Sequence, residues 1–421
     1  MSYGDGRPAQ EFSTYAQRRM ALGNRGRARA VDESSSYQLF AFTPGRQLDV
    51  APIISTENLI LAWNKCAREG GTAPGTDDLR YGDLGRSQVA AAMRLLSTAV
   101  EEGRYRPQRS RSVSISKPDG GTRTLRLRGL FDRVLSRAVT TAVAPLIDAA
   151  LLSTSYGFRA QRGVADLIAE LEVSVVRDGR RVIVDTDIRQ AFDYVPIDAA
   201  VAALGRSLHA PSLLTLVETI LRGHDGAVRR VGIDQGDALS PVTLINLLDV
   251  RLDRPLIAAH PEVRSYRFAD NHVLAARSID AAQEGLQTTR RLLADIGMTL
   301  KGDPQPVVLR SGVEVDILGY TVALKRNEGL DLGVNPRAWR RLREFLDLAV
   351  LHEHPHQYVA RVVDGWCGNY GVCFETDAER HSIARQVVNA VRISANDAPS
   401  TERIVQALAE TYAKRRRPHS E

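Results

Sequence analysis

Eleven residues, Tyr266 to Ala276, constrain the fold more than any other stretch of this chain. Tyr266-Arg-Phe-Ala-Asp-Asn-His-Val-Leu-Ala-Ala276 alternates large apolar residues with others, breaks at Ala269-Asp270-Asn271 and then resumes, which reads as two short strands and a tight turn. A chain built on this ribbon contains antiparallel sheet, with Asp270 at the tip. A carboxylate held there is rigid and exposed, as a hard divalent cation requires of an oxygen ligand. Asp and Asn are equally the common residues of ordinary hairpin turns, because they tolerate left-handed backbone. The ribbon alone leaves both readings open.

A second acidic strand stands upstream. Arg181-Val-Ile-Val-Asp-Thr-Asp187-Ile188 is a buried strand ending in acid, and period-two geometry puts Asp185 and Asp187 on one face, Val184 and Thr186 on the other. Taken singly, Asp187 reads as a strand-end cap. Helices are expected at 196–208 and 211–221. The segment 233–249 is a glycine loop feeding a helix, with Ser240 as N-cap, Pro241 as first helical residue and Leu244, Leu247 and Leu248 as its apolar stripe. Gln235-Gly236 would let the backbone approach a flat ligand such as a base pair.

Charge narrows the class of partner. The chain has 421 residues, a net charge of +6 and a pI near 9.3. Between Arg104 and Arg137 ten Arg/Lys face only Asp119 and Asp132. Such a segment suits nucleic acid or a triphosphate, with a solvated charged face as the bland reading. Within it, strands at 113–115 and 124–127 flank Lys117-Pro-Asp-Gly-Gly-Thr-Arg123, a flap with a cation at each shoulder. Three cysteines fit neither a disulfide framework nor a four-ligand zinc site. Without a long apolar run or a secretory leader, no membrane association and a cytoplasmic location are expected.

The remaining chain reads as a mobile basic arm at 1–36, structure from Tyr37, and helices at 58–68, 86–102, 131–149, 164–176 and 281–296. Strands are expected at 298–300 and 307–309, and a strand and turn at 315–320. Asn335 caps a helix starting at Pro336, apolar at Trp339, Leu342, Leu346 and Ala349, with Arg337, Arg340, Arg341 and Arg343 elsewhere on it. That basic side suits a duplex backbone or plain solvent. His272 reads as packed or turn-associated. In His352-Glu-His354-Pro-His356 the proline breaks the spacing that would converge the rings on a metal. Lys414 to Arg417 reads as a frayed tail.

In this order and spacing the segments resemble the reverse transcriptases of the bacterial group II intron lineage, over roughly residues 58 to 375. Asp187-Ile-Arg-Gln-Ala-Phe192-Asp193 resembles that family's first catalytic motif. Gln235-Gly-x-x-Leu-Ser240-Pro241 with Asn246 resembles its template and nucleotide-positioning motif, and Arg267-Phe-Ala-Asp270-Asn271 its Tyr-Ala-Asp-Asp box. Lys117-Pro-Asp-Gly with Arg123, Ser155-Tyr-Gly-Phe-Arg159, Ile317-Leu-Gly-Tyr320, and Gly365-Trp366 with Tyr370 are similar to its fingers, primer-grip and thumb signatures.

The resemblance implies an α+β right-hand polymerase: fingers at 37–180, a palm with antiparallel sheet at 181–325 that carries finger-like helices at 196–230, and a helical thumb with a basic tail at 326–421. It implies an RNA-directed DNA polymerase using Mg²⁺ or Mn²⁺, with an RNA template such as a dedicated noncoding RNA, deoxynucleoside triphosphates, a DNA product, and a second subunit or further copies of itself as partners. Asp187, the Ile188 carbonyl and Asp270 would hold metal, with Asn271 beside them. Lys117, Arg123, Ile188, Phe192, Gln235 and Gly236 would contact the nucleotide, and Arg159, Ser240, Tyr320, Arg337, Arg340 and Arg341 nucleic acid. Within the lineage the chain looks like the free-standing enzymes of antiphage defence. Two departures stand out: Asn271 replaces the family's second box aspartate, and Pro304 stands where the family has a lysine, Lys301 lying three residues earlier. They keep open a catalytically impaired polymerase fold acting as a nucleic-acid-binding or scaffold subunit.

Overall fold

The computed structural model describes residues 49–69, 73–116, 122–325, 329–351, 354–394 and 399–415. The arm at 1–36, the expected start near Tyr37, Lys117, His352 and the last residues of the basic tail lie outside the described residues.

The strands are β1 (Arg111–Ser116), β2 (Thr122–Leu127), β3 (Val182–Asp187), β4 (Arg264–Phe268), β5 (Asn271–Ala276), β6 (Val307–Val308), β7 (Val315–Ile317), β8 (Tyr320–Leu324) and β9 (Leu330–Val334). They form a β1–β2 ribbon, a four-stranded sheet in the order β4-β5-β3-β6, and a β7-β8-β9 sheet, every pairing antiparallel. Helices supply most of the rest, so the expected α+β class is what the chain adopts.

The four-stranded sheet is covered unequally. Val182, Val184, Leu274 and Ala276 pack against Leu256, Ala282 and Leu286 on the helices Arg254–Ala259 and Ile279–Ala294. Ile183, Val273, Ala275 and Tyr266 face the other way, into a core shared with the C-terminal helices Pro336–Asp347 and Pro355–Tyr370. Alternation along β3 therefore carries Asp185 and Asp187 to the second face, beyond the point where the apolar cover ends.

The helix Leu239–Leu248 is apolar on every side and accordingly buried, with Pro241 its most exposed residue. Its start corrects the expectation for Ser240. The helix begins at Leu239, whose N–H donates to Asp237 Oδ1 at 2.9 Å, and Asp237 also accepts from Ser136 Oγ at 2.7 Å. Asp237 does the capping, and Ser240 lies buried in the first turn. Asn335 does cap Pro336–Asp347, its Oδ1 accepting from the Arg337 N–H at 2.7 Å.

Candidate active site

The register of the central sheet brings the two acids together. Asp187 lies directly opposite Asn271 in the β3–β5 ladder, and the Ile188 N–H donates to the Asp270 carbonyl at 3.0 Å. Facing residues of an antiparallel pair are about 5 Å apart at Cα, and Asp270 is one step further along the chain, so Asp187 and Asp270 lie within about 9 Å at Cα. Between β4 and β5 only Ala269 and Asp270 form the turn, and Ala269 holds φ at 59°. A non-glycine residue in this conformation is kept there by its surroundings.

The neighbourhood of Asp187 is acidic. Asp185, two residues back on the same face, has its pKa pushed up to about 7, by burial first and then by the charges of Asp187 and Asp316. Its Oδ1 is buried without a hydrogen-bond partner. The cation near these carboxylates is Lys301, whose N–H donates to the Asp187 carbonyl at 2.7 Å and whose Nζ lies 3.9 Å from Asp187 Oδ2. A three-residue offset from the family's position thus still brings a lysine to the acid. Concentrated carboxylate oxygens, one buried and unsatisfied, are a donor set that fits Mg²⁺ or Mn²⁺.

The hairpin tip is braced from below and from the side. Arg267, wholly buried, donates from Nε to Asp253 Oδ2 at 2.7 Å, from Nη1 to the Ala269 carbonyl at 3.2 Å and from Nη2 to the Ile245 carbonyl at 3.1 Å. Burial drives the Asp253 carboxyl up and the Arg267 charge pulls it back, leaving a net rise. From the side, residues 154–156 run along β4: the Tyr156 N–H donates to the Arg267 carbonyl at 2.8 Å, and the Arg267 N–H to the Thr154 carbonyl at 2.9 Å. Gly157 then lies so close that a Cβ there would sit 2.1 Å from the Ala269 nitrogen.

Arg159, expected at nucleic acid, is instead a bracket within this brace. It donates to the Asp148 carboxylate at 2.5 Å and to the carbonyls of Asp148, Leu152 and Ser155 at 2.8–2.9 Å, which occupies its guanidinium. Phe158, 50% exposed, leans edge-on over the buried ring of Phe192, their centroids 6.1 Å apart. The only hint of this in the sequence is a glycine between two aromatic residues.

On the opposite side, the Gln235–Gly236 loop meets β2, where the Arg126 N–H donates to the Gln235 carbonyl at 3.3 Å. Gly236 has φ 109°, which favours glycine. Beneath the loop, buried Arg128 donates to Asp234 Oδ2 at 2.9 Å and lies 3.4 Å from Asp237 Oδ2, while Arg229 donates to Asp234 Oδ1 at 2.7 Å. Burial raises the Asp234 carboxyl, but the charges of Arg128, Arg229 and Arg126 outweigh it, and its pKa is lowered. Arg123 lies in β2 opposite Ile115.

Tyr320 does not present its side chain to a surface: it is wholly buried, its hydroxyl donating to the Asn369 carbonyl and its ring 5.2 Å from that of Tyr370. Trp366 stacks between Tyr370 and Trp339, at 5.3 and 4.6 Å. Arg337, Arg340 and Arg341 are exposed on the helix Pro336–Asp347.

His272 packs, as expected. It is fully buried, with Nε2 and Ser265 Oγ 2.7 Å apart, and burial, helped by the charge of Arg267, lowers its pKa to about 3. The unfolded chain takes up this proton near pH 6.5 and the folded chain does not, so stability is fully present above 6.5 and falls as pH drops towards 3. Thermal melts of wild type and His272→Gln are expected to diverge below pH 6.5, the wild type losing up to about 1.4 kcal/mol more per pH unit. Parallel curves would refute this.

An antiparallel sheet with acids at a hairpin and at the end of the adjoining strand, faced by a basic ribbon, defines a nucleotidyl-transfer class of site. Residues 115–322 match the family "Reverse transcriptase (RNA-dependent DNA polymerase)", and this part of the chain is a reverse transcriptase domain with the right-hand polymerase fold. Protein YkfC of Escherichia coli is 29% identical over 196 residues, 45% of this chain and 51% of that protein. The putative COX1/OXI3 intron 1 protein of Saccharomyces cerevisiae is 24% identical over 206 residues, 47% of this chain and 24% of that protein. The match thus spans about half, or less, of the length of these relatives. Among solved structures, telomerase from Candida albicans with a telomeric RNA fragment aligns at TM-score 0.41 and 10% identity, covering 78% of this chain and 68% of that one. Apo telomerase from Candida tropicalis aligns at 0.44 and 10%, covering 77% and 71%.

Proposed function

We propose that the chain is an RNA-directed DNA polymerase that adds deoxynucleotides to a primer by two-metal chemistry. The observation that carries this reading is the ladder register that sets Asp187 opposite Asn271 with Asp270 adjacent. Asp187, Asp270 and the Ile188 carbonyl hold the ions, with Asn271 adding a neutral oxygen. Bound there, Mg²⁺ or Mn²⁺ supplies acidification of the primer 3′-hydroxyl and neutralisation of the leaving pyrophosphate. Lys117 and Arg123 clamp the triphosphate. Phe192, closed in by Phe158, lies under the sugar and excludes a 2′-hydroxyl. Gln235 and Gly236 support the templating pair. Lys301, beside Asp187, is positioned to give a proton to the leaving group.

The partition follows the same logic: fingers at 37–180, palm at 181–325 and thumb at 326–421, with Arg337, Arg340 and Arg341 on the duplex backbone. The free-standing character of the resembled enzymes supports an antiphage setting with a dedicated RNA template. Asn271 alone favours the second reading, a binding subunit with impaired chemistry.

Primer extension on an RNA template with labelled deoxynucleotides and Mg²⁺ or Mn²⁺ separates them. Product is expected from the wild type, and Asn271→Asp is expected to lower the Mg²⁺ needed for half-maximal rate by roughly tenfold, since a second charge strengthens a site for a hard cation. No product from either protein, with RNA binding retained, would favour the second reading.

A further inference from the structure

On the far side of the four-stranded sheet, the loop that leads into β4 crosses the helix Ile279–Ala294. His260 from that loop offers Nδ1, Glu262 and the helix's Glu284 each offer a carboxylate oxygen, and these three atoms lie within 4.8 Å of one another. We propose that His260, Glu262 and Glu284 form a site for a divalent transition-metal ion of the zinc type, separate from the catalytic carboxylates, that pins the entry of the catalytic hairpin to the helix behind it.

Three features go beyond proximity. The imidazole is oriented, because His260 Nε2 is hydrogen-bonded to Thr288 Oγ1 at 2.8 Å, leaving Nδ1 turned to the two carboxylates. A hydroxyl on the outer nitrogen is the arrangement that fixes the tautomer of a metal-bound histidine. The separation also suits shared coordination: Nδ1 is 3.3 Å from Glu262 Oε1, and two ligands on one tetrahedral zinc with bonds of about 2.0–2.1 Å stand roughly 3.3 Å apart. Finally, Glu284 and Thr288 are one helical turn apart on one face, so a ring bonded to Thr288 necessarily lies over Glu284. A cavity of about 350 Å³ opens beside them, lined by His260, Glu284, Gln287, Thr288 and Arg291, and gives an incoming ion its route and its remaining ligand a place.

Pro261 stiffens the loop between the two ligands it carries. Val263 packs at Gly285, next to Glu284, so strap and helix are already in register before any ion binds. The ligand set discriminates between ions. Imidazole with two carboxylates suits zinc, whereas Mg²⁺ binds oxygen and keeps its waters. The bland alternative is an ordinary His260–Glu262 ion pair with Glu284 merely nearby.

Calorimetric titration of Zn²⁺ into the full chain, in excess Mg²⁺ to occupy hard carboxylate sites, tests this. One ion per chain is expected, with a rise in Tm that a chelator reverses. His260→Gln should abolish binding. Glu284→Gln, an exposed change that leaves the fold intact, should weaken it at least tenfold, and Thr288→Val by roughly 10–100-fold through loss of ring orientation. Absence of saturable Zn²⁺ binding, or binding of equal strength in His260→Gln and Glu284→Gln, would overturn the proposal.

Discussion

Asp187→Asn is expected to lower nucleotide addition by roughly a thousandfold or more while leaving the melting temperature unchanged or higher. An ion at a polymerase centre contributes several kcal/mol of charge stabilisation in the transition state, and each ~1.4 kcal/mol is a tenfold change in rate. The substituted amide keeps the volume and one oxygen but loses the charge that attracts the ion. Stability moves the other way because of the surroundings. Asp185 is held near neutrality up to about pH 7 by burial and by the charges of Asp187 and Asp316. An acid whose folded pKa is raised costs stability as pH rises through its ordinary range, and the full cost is present above the folded value. Removing the Asp187 charge relieves part of that cost, opposed only by loss of the Lys301 contact, which at 3.9 Å and on an exposed lysine is worth little. Activity and Tm, measured at pH 8 on one preparation, are therefore expected to separate. A variant that keeps wild-type rates would remove Asp187 from the chemistry, and one that melts much lower would make it a structural cap.

The same contrast shows which parts of the molecule were legible in the sequence. The catalytic ribbon and β3 were, because two-residue alternation and a turn are local signals: Val182 to Val184 read as buried, and the break at Ala269-Asp270 read as the tip. The Asn335 cap was legible for the same reason, its partner lying two residues away. Ser240 shows the limit. Serine before proline at the head of an apolar run carries a capping signal, yet Asp237 caps instead, because Ser136, 101 residues upstream, fixes that carboxylate. Arg159 and Tyr320 fail in a related way. An arginine and a tyrosine in nucleic-acid-like motifs read as surface groups, but whether carbonyls and rings close around them depends on the packing of distant segments. Arg267 was quoted within the box, but its buried partner Asp253 on a preceding helical turn left no pattern to read. Composition could place excess positive charge near the flap, but could not tell Arg128, which is consumed in a buried network with Asp234 and Asp237, from an arginine free to meet phosphate.

The second large effect lies outside the carboxylates. Gly157→Ala is expected to lower the rate about a hundredfold and to cost about 1–3 kcal/mol of stability, although alanine is the smallest side chain that can be added. The added Cβ would stand 2.1 Å from the Ala269 nitrogen, 2.8 Å from its Cα and 2.9 Å from the Phe268 carbonyl carbon. All three are backbone atoms of the hairpin turn, so no side-chain rotation relieves the overlap; one segment must retreat. The 154–156 segment is tied to β4 through Arg267 in both directions, and Arg159 locks the following residues to Asp148. The turn is therefore the part that moves, and with it Asp270, by about the ångström that misaligns reacting atoms. Gly82→Ala is the matched control: nothing lies within 4 Å of a Cβ there, and the residue is not among those with positive φ. It should leave rate and Tm as they are. Since Arg267 still holds the Ala269 carbonyl from below, the Gly157→Ala protein should fold and bind RNA like the wild type, the deficit appearing in the nucleotide-addition rate and in a higher Mg²⁺ requirement. If Gly157→Ala instead matches Gly82→Ala in both readouts, the close approach of the brace has no part in holding Asp270.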